Sequence, residues 1–95
     1  MNSKNNKISK TLRHIVFERD SYTCIYCDNG ATDVHHVFDN RNIVYNLVSI
    51  CRRCHMVLHG QLEELYENMR NDMYGAMVEY LWHAHPNELE EWLRE

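Results

Sequence analysis

The sequence has no run of about eighteen apolar residues, the length a helix needs to cross a bilayer, so no membrane span and no membrane partner are expected. Its first ten residues, MNSKNNKISK, lack the apolar core of a secretory signal, and an intracellular, cytoplasmic location follows as the expectation. No internal repeat or low-complexity segment interrupts it. Proline is almost missing, with Pro86 the single instance. An excess of basic charge is missing too: the net charge of −4 argues at first against a nucleic-acid partner. At 95 residues the chain reads as one domain that buries too little apolar surface to hold much spare stability, so a metal staple would be useful. A hydrophobic content of 44% still excludes wholesale disorder.

The charge that is present is unevenly placed. Residues 1–59 hold eight Lys/Arg against five Asp/Glu, a balance of +3, and residues 60–95 hold two against nine, a balance of −7. The whole-chain figure averages two unlike regions. A basic front half can face phosphates, which an acidic tail would repel. Residues 1–8 are polar and expected to fray, leaving Lys4, Lys7 and Lys10 free to touch a phosphate backbone.

Local signals predict the elements. Ser9 caps a helix carrying Leu12, Ile15, Val16 and Arg19 at helical spacing, which ends near Asp20 and Ser21. Residues 22–30 read as a tight knuckle turned back by Asp28, Asn29 and Gly30. Residues 32–37 are β-branched and predict a short strand, 38–45 a polar loop, 47–50 a second strand, and 52–58 a helix. From residue 61 to 84, apolar side chains at Leu62, Leu65, Tyr66, Met69, Met73, Ala76, Met77, Tyr80, Leu81 and Ala84 form a stripe. It predicts one long amphipathic helix, or two broken near Asn71 and Asp72 or at Gly75, with the stripe as core or dimer seam. Pro86 stops it. Asn87 and Glu90 make a capping-box pattern for a last helix whose inner face is Leu89, Trp92 and Leu93.

The chemistry is concentrated in residues 34–60, VHHVFDNRNIVYNLVSICRRCHMVLHG, which hold four of the seven histidines and two of the four cysteines. Cys24 and Cys27 precede them by a short distance, and both cysteine pairs have CxxC spacing with twenty-three residues between. Four thiolates in two pairs suit tetrahedral Zn²⁺ in a closed, structural site. A disulfide or a thioredoxin-like redox centre are the alternatives, and a reducing compartment without a βαβ pattern argues against both. His55 and His59, four apart on a helix, project from one face and can share a metal, with His35 a third ligand from the facing strand. Three protein ligands leave coordination positions open, as a catalytic divalent ion requires. His36 is then the spare histidine, suited to general-base work near neutral pH. The plainer alternative is that His35 and His36 line a polar turn, or that His55 replaces a cysteine at the zinc. Adjacent strand residues point to opposite faces, so His35 and His36 reach one site only if the strand ends or twists there.

Taken together, the HH pair at His35 and His36, the asparagine at Asn46, the histidine at His55 and the further His59 resemble the HNH endonucleases, nucleases of ββα-metal fold. The run NLVSICRRCH and the upstream Arg13, Arg19, Asp20, Cys24 and Cys27 resemble the zinc-clamped branch, over about residues 10–60. An acidic residue often stands in that family where this chain has His35, and the loop between His36 and Asn46 is shorter than the common form and lacks its Gly-Gly. The resemblance implies a small HNH core (residues 10–60) with a four-Cys zinc clamp (Cys24, Cys27, Cys51, Cys54); with the N-terminal helix and the acidic helical extension (61–95) read from the residue patterns, the expected fold is α+β. The resemblance also implies hydrolysis of DNA phosphodiesters with one divalent ion (Mg²⁺, Mn²⁺, Ni²⁺ or Zn²⁺) on His35, His55 and His59. His36 would take the proton from water, and Asn46 would bond across its own loop. Arg41, Arg52 and Arg53 become candidate phosphate contacts. The compactness suits a phage or mobile element. A catalytically silent zinc scaffold, binding nucleic acid or protein through the acidic tail, is the competing class, and a homodimer or protein partner through the C-terminal helices is compatible with either.

Overall fold

A computed structural model describes residues 7–60 and 67–94. Among these the order is α1 (Lys10–Arg19), β1 (Asp33–His36), a 3₁₀ turn (Val44–Asn46), β2 (Leu47–Ile50), α2 (Arg52–Leu58), α3 (Glu67–Ala84) and α4 (Pro86–Arg94), a small α+β fold of four helices and a two-stranded sheet. No helix among the described residues is long and apolar enough to cross a membrane. Lys4, Leu62, Leu65 and Tyr66 lie outside the described residues.

The strands pair antiparallel, with Asp33 opposite Ile50, Val34 opposite Ser49, His35 opposite Val48 and His36 opposite Leu47. Strand periodicity then divides the sheet. Val34 and Leu47 meet Ile8 and Val16 on the α1 side. Ile50 packs with Cys24, Cys54, Val57 and Met73, and Val48 with Val37, Met77, Leu81 and Leu89, on the other. Both faces are covered, which is why every residue of β2 is buried.

Ser9 caps α1 through its Oγ, which accepts the Leu12 amide at 3.1 Å. The helix ends at Asp20, after which Ser21 and Tyr22 take left-handed φ values of 56° and 55°, and the Tyr22 amide closes back on the Phe17 carbonyl at 2.8 Å. Ile8 is buried in the core, so the chain is anchored at residue 8, earlier than the polar composition of residues 1–8 predicts. No break occurs at residues 71–75: α3 runs continuously from Glu67 to Ala84. Its Met73, Met77 and Leu81 are fully buried against this chain's own sheet and α4, so this part of the stripe is core, while Ala84 at its end is exposed. In α4, Pro86 occupies the first helical position, where its missing N–H costs nothing, and the His85 carbonyl accepts the first helical bond from Leu89. The cap is therefore His85, and Asn87 falls inside the first turn. Leu89 is fully buried but Leu93 is 47% exposed, which removes Leu93 from the expected inner face.

One polar group ties these elements together. The carboxylate of buried Asp20 accepts from Arg19 Nε at 2.6 Å and Nη2 at 2.9 Å, from the Ser49 amide at 2.9 Å, and from the Tyr80 hydroxyl. Arg19 also donates to the carbonyls of Val44 (2.9 Å) and Leu47 (2.7 Å), and its Nη1 lies 3.2 Å from His85 Nε2. Burial pushes the Asp20 carboxyl up, but the Arg19 and Tyr80 hydrogen bonds and the Arg19 charge outweigh it and hold it below the usual range.

Candidate metal centres

The knuckle that carries Cys24 and Cys27 is closed by its own backbone. Cys24 donates to the Asn29 carbonyl at 2.7 Å, Asp28 donates to the Cys24 carbonyl at 3.1 Å, and Thr23 bridges Gly30. The left-handed position of the turn is taken by Asp28, at φ 69°, and not by the glycine. Across from it, Cys51 is the N-cap of α2 and its Sγ accepts the Cys54 amide at 3.4 Å. The four Sγ atoms lie within 4.8 Å of one another, and Cys27 Sγ is 3.6 Å from Cys51 Sγ. An ion with metal–sulfur bonds of about 2.3 Å in a tetrahedron separates its sulfurs by about 3.8 Å. The spacing thus fits zinc, and all four cysteines are free thiols. Burial pushes the Cys54 thiol far up, and the neighbouring Cys51, Cys24 and Cys27 add to the effect. Four converging sulfurs cannot all ionise unaided; a cation among them reverses that preference. Four protein ligands close the set.

The second group lies on the α2 side of the sheet. His35 projects from β1 toward His55 and His59, one turn apart at the end of α2, and the three offer ligand nitrogens within 4.8 Å of one another. Their ring centroids are separated by 5.2 Å (His35 to His55), 5.5 Å (His35 to His59) and 4.6 Å (His55 to His59). His55 Nε2 and His59 Nε2 stand 3.0 Å apart, a distance two ring nitrogens keep only with a proton or a cation between them. Burial, followed by the charges of His55, His59 and His36, lowers His35 to about 4, and burial followed by His55 also lowers His59. Both rings are therefore neutral near pH 7, the state in which imidazole binds metal. His59 is exposed, so this site opens to solvent on that side.

Sequence reasoning missed Asp33. Its Oδ2 lies 2.8 Å from His55 Nδ1, which leaves Nε2 of that ring to face His59. A carboxylate on the far nitrogen is the usual brace of a metal-bound histidine, fixing its tautomer and orientation. Burial raises the Asp33 carboxyl, but hydrogen bonds from His55, Arg52 and Thr32 outweigh it and hold it low. The available signal was an acid two residues before His35, on the same strand face. Arg52 donates to Asp33 at 3.0 Å, with most of its side chain exposed, and borders a cleft of about 230 Å³ lined by Asp33, Arg52, His55, Met56 and His59.

His36 is not brought into the three-histidine group. It leaves β1 on the α1 side, as strand alternation demands, and its Nε2 lies 2.8 Å from Asn42 Oδ1. Asn46 is fully buried in the loop behind it. Asn46 Oδ1 accepts the amides of Phe38 (2.8 Å) and Asp39 (3.3 Å), and its Nδ2 donates to the carbonyls of Asp39 (2.9 Å) and Arg41 (2.8 Å). Arg41 pairs with Asp39 at 3.1 Å and lies over the Trp92 ring, while Arg53 is exposed on α2. No family model matches the chain, and no curated protein or solved structure matches it. The fold and the sulfur geometry define a small α+β protein with a four-cysteine cluster close enough to hold a metal ion.

Proposed function

We propose that this protein is a metal-dependent DNA endonuclease or nickase of HNH type, with Cys24, Cys27, Cys51 and Cys54 holding a structural zinc. The observation that carries the reading is the second donor set. His35, His55 and His59 bring ligand nitrogens within 4.8 Å of one another, braced by Asp33 and open on the His59 side, next to a sulfur cluster whose four protein ligands leave no position for substrate. A structural role alone would not call for two donor sets of different chemistry.

A divalent ion bound there would stabilise charge developing on a phosphodiester and on its leaving oxygen. The chain's residues do the rest. Neutral imidazoles at His35 and His59 keep their lone pairs available, and Asp33 keeps His55 aimed. His36, the last residue of β1, is assigned the proton of the attacking water, which requires the phosphodiester to reach round the end of that strand, because the ring stands on the α1 side and not among the three histidines. Asn46 pins residues 38–41 and so keeps the end of β1 and the following loop in one arrangement. Arg52 and Arg53 stand on α2, where a phosphate backbone could approach the cleft. Most of the catalytic contribution assigned to the protein is thus positioning and charge stabilisation.

The test is cleavage of supercoiled plasmid with Mg²⁺, Mn²⁺, Ni²⁺ or Zn²⁺, comparing wild type with His36→Ala and His59→Ala. Wild type should nick, and both variants should be slower by at least about 100-fold, the scale of losing a general base. One observation favours a second reading: His36 stands on the sheet face away from the three histidines. If wild type cuts with none of these metals, a silent zinc-stabilised scaffold becomes the better account. Its binding surface would be the acidic extension, where Glu79, Glu88, Glu90 and Glu91 are exposed.

A further inference from the structure

The loop that follows β1 is held from outside the stretch with recognisable motifs. Trp92 of α4 sets its indole edge-on against Phe38 and Tyr45, with centroid separations of 5.8 and 5.4 Å and interplanar angles of 88° and 70°. The Arg41 guanidinium carbon lies 5.1 Å over the same indole. One side chain on the last helix therefore touches this loop at its start, its middle and its end. Next to Arg41 is Asn42, whose Oδ1 is 2.8 Å from His36 Nε2. The orientation of that amide is fixed by its other end, because Asn42 Nδ2 donates to the Lys7 carbonyl at 3.0 Å, an atom that only accepts. An amide oxygen can only accept as well, so His36 Nε2 carries a hydrogen, and in the neutral ring Nδ1 is then the nitrogen with the lone pair.

We propose that Trp92 is a positioning residue: by holding residues 38–45 against α4 it aims Asn42 at His36 and fixes the ring and tautomer of that histidine. Its consequence for cleavage rests on the endonuclease reading above, while the control of the His36 ring does not. The acidic extension thereby reaches the site through packing, without touching it. Asn46 anchors the loop from within, and Trp92 anchors it from above.

Two readouts test this on the full, zinc-loaded chain. Nitrogen-15 NMR of the His36 ring should show one Nε2–H tautomer in wild type and a mixture in Trp92→Ala. Plasmid nicking by Trp92→Ala should fall about 10- to 100-fold, the scale expected for a displacement of about an ångström. Trp92→Phe should restore both, since an aromatic edge is retained. Asn42→Ala, at the exposed surface, should lose as much as Trp92→Ala, and the double variant no more than either single, because both act through one contact. Trp92→Leu, which keeps apolar bulk without the ring, takes the place of Trp92→Ala if that variant does not fold. Unchanged His36 ring signals in the Trp92 variant, or losses that multiply in the double variant, overturn the proposal. Ring signals that move while wild type cuts no plasmid leave the positioning standing and remove the endonuclease reading instead.

Discussion

Replacing Cys51 with serine removes one corner of the sulfur cluster and little else. Serine is itself a good N-cap, so the bond from the Cys54 amide that Cys51 Sγ now accepts at 3.4 Å has a substitute acceptor. The change therefore isolates the metal from the start of α2. Structural zinc contributes about 10–16 kcal/mol in small zinc-binding peptides, whereas a domain of this length has a total stability of about 5–14 kcal/mol. Loss of the ion is then comparable to the whole margin, and the variant should lose its cooperative thermal transition near ambient temperature. His59→Ala should act differently, keeping the transition and surrendering only the second ion. Metal content after desalting, with thermal melting by circular dichroism, separates the cases: about two zinc equivalents in wild type if both sites hold zinc, and about one in His59→Ala. A Cys51→Ser protein that stays folded with its zinc retained would refute the four-thiol assignment. A His59→Ala protein that unfolds would show that the two donor sets are not independent.

Asp33→Ala removes the acceptor beside His55 Nδ1 and should weaken metal binding at the three histidines about 10- to 100-fold, measured by competition titration, with the sulfur-bound ion unaffected. Asp20→Asn leaves Arg19 without its buried carboxylate and should cost about 3–5 kcal/mol, which lowers the urea midpoint by about 1.5–2.5 M; a shift under about 0.5 M would refute the hub's importance. Burial, then the Asp20 hydrogen bond and charge, raises Tyr80 to about 12 from an ordinary value of 10.0. The fold favours the neutral phenol, so that stabilisation is complete below pH 10 and is lost as pH rises toward about 12. Absorbance at the phenolate band should show a late-titrating tyrosine that Tyr80→Phe removes, and the unfolding midpoint should fall over the same window.

Much of this architecture is legible where the signal is local. Ser9 announces α1, the polar loop between two short apolar runs announces the hairpin, and the helix expected over 52–58 is α2, Arg52–Leu58. The CxxC pairs and the HxxxH spacing likewise identify both donor sets, since ligands of one ion must recur at the period of the element carrying them. What failed was arbitration between competing local signals. Asn87 with Glu90 has the form of a capping box, but Pro86 is better placed at the first helical position, which moved the cap to His85. Gly75 and Asn71 weaken a helix without ending it when Met73 and Met77 are buried on either side of the weak point. What was invisible was long-range. Nothing near Arg19 and Asp20 in sequence indicates that their partners are Tyr80 and His85, and Asp33 reads as an ordinary strand-end charge until α2 is folded against it.

The separation in sequence of the Arg19 and Asp20 hub from its partners has a consequence for how the chain is made. Tyr80 and His85 follow Asp20 and Arg19 by 60 and 66 residues. At about 5–20 residues per second, a ribosome leaves the ion pair unfinished for about 3–13 s after it emerges. All four cysteines are synthesised by residue 54, well before Met73, Met77 and Leu81 can cover the sheet. Assembly around the thiols can therefore come first and hold α2 against the knuckle while the apolar underside of the hairpin is still bare. A cell short of metal would feel this during translation, as nascent chains with an uncovered sheet, before it could be felt as a shortage of active protein.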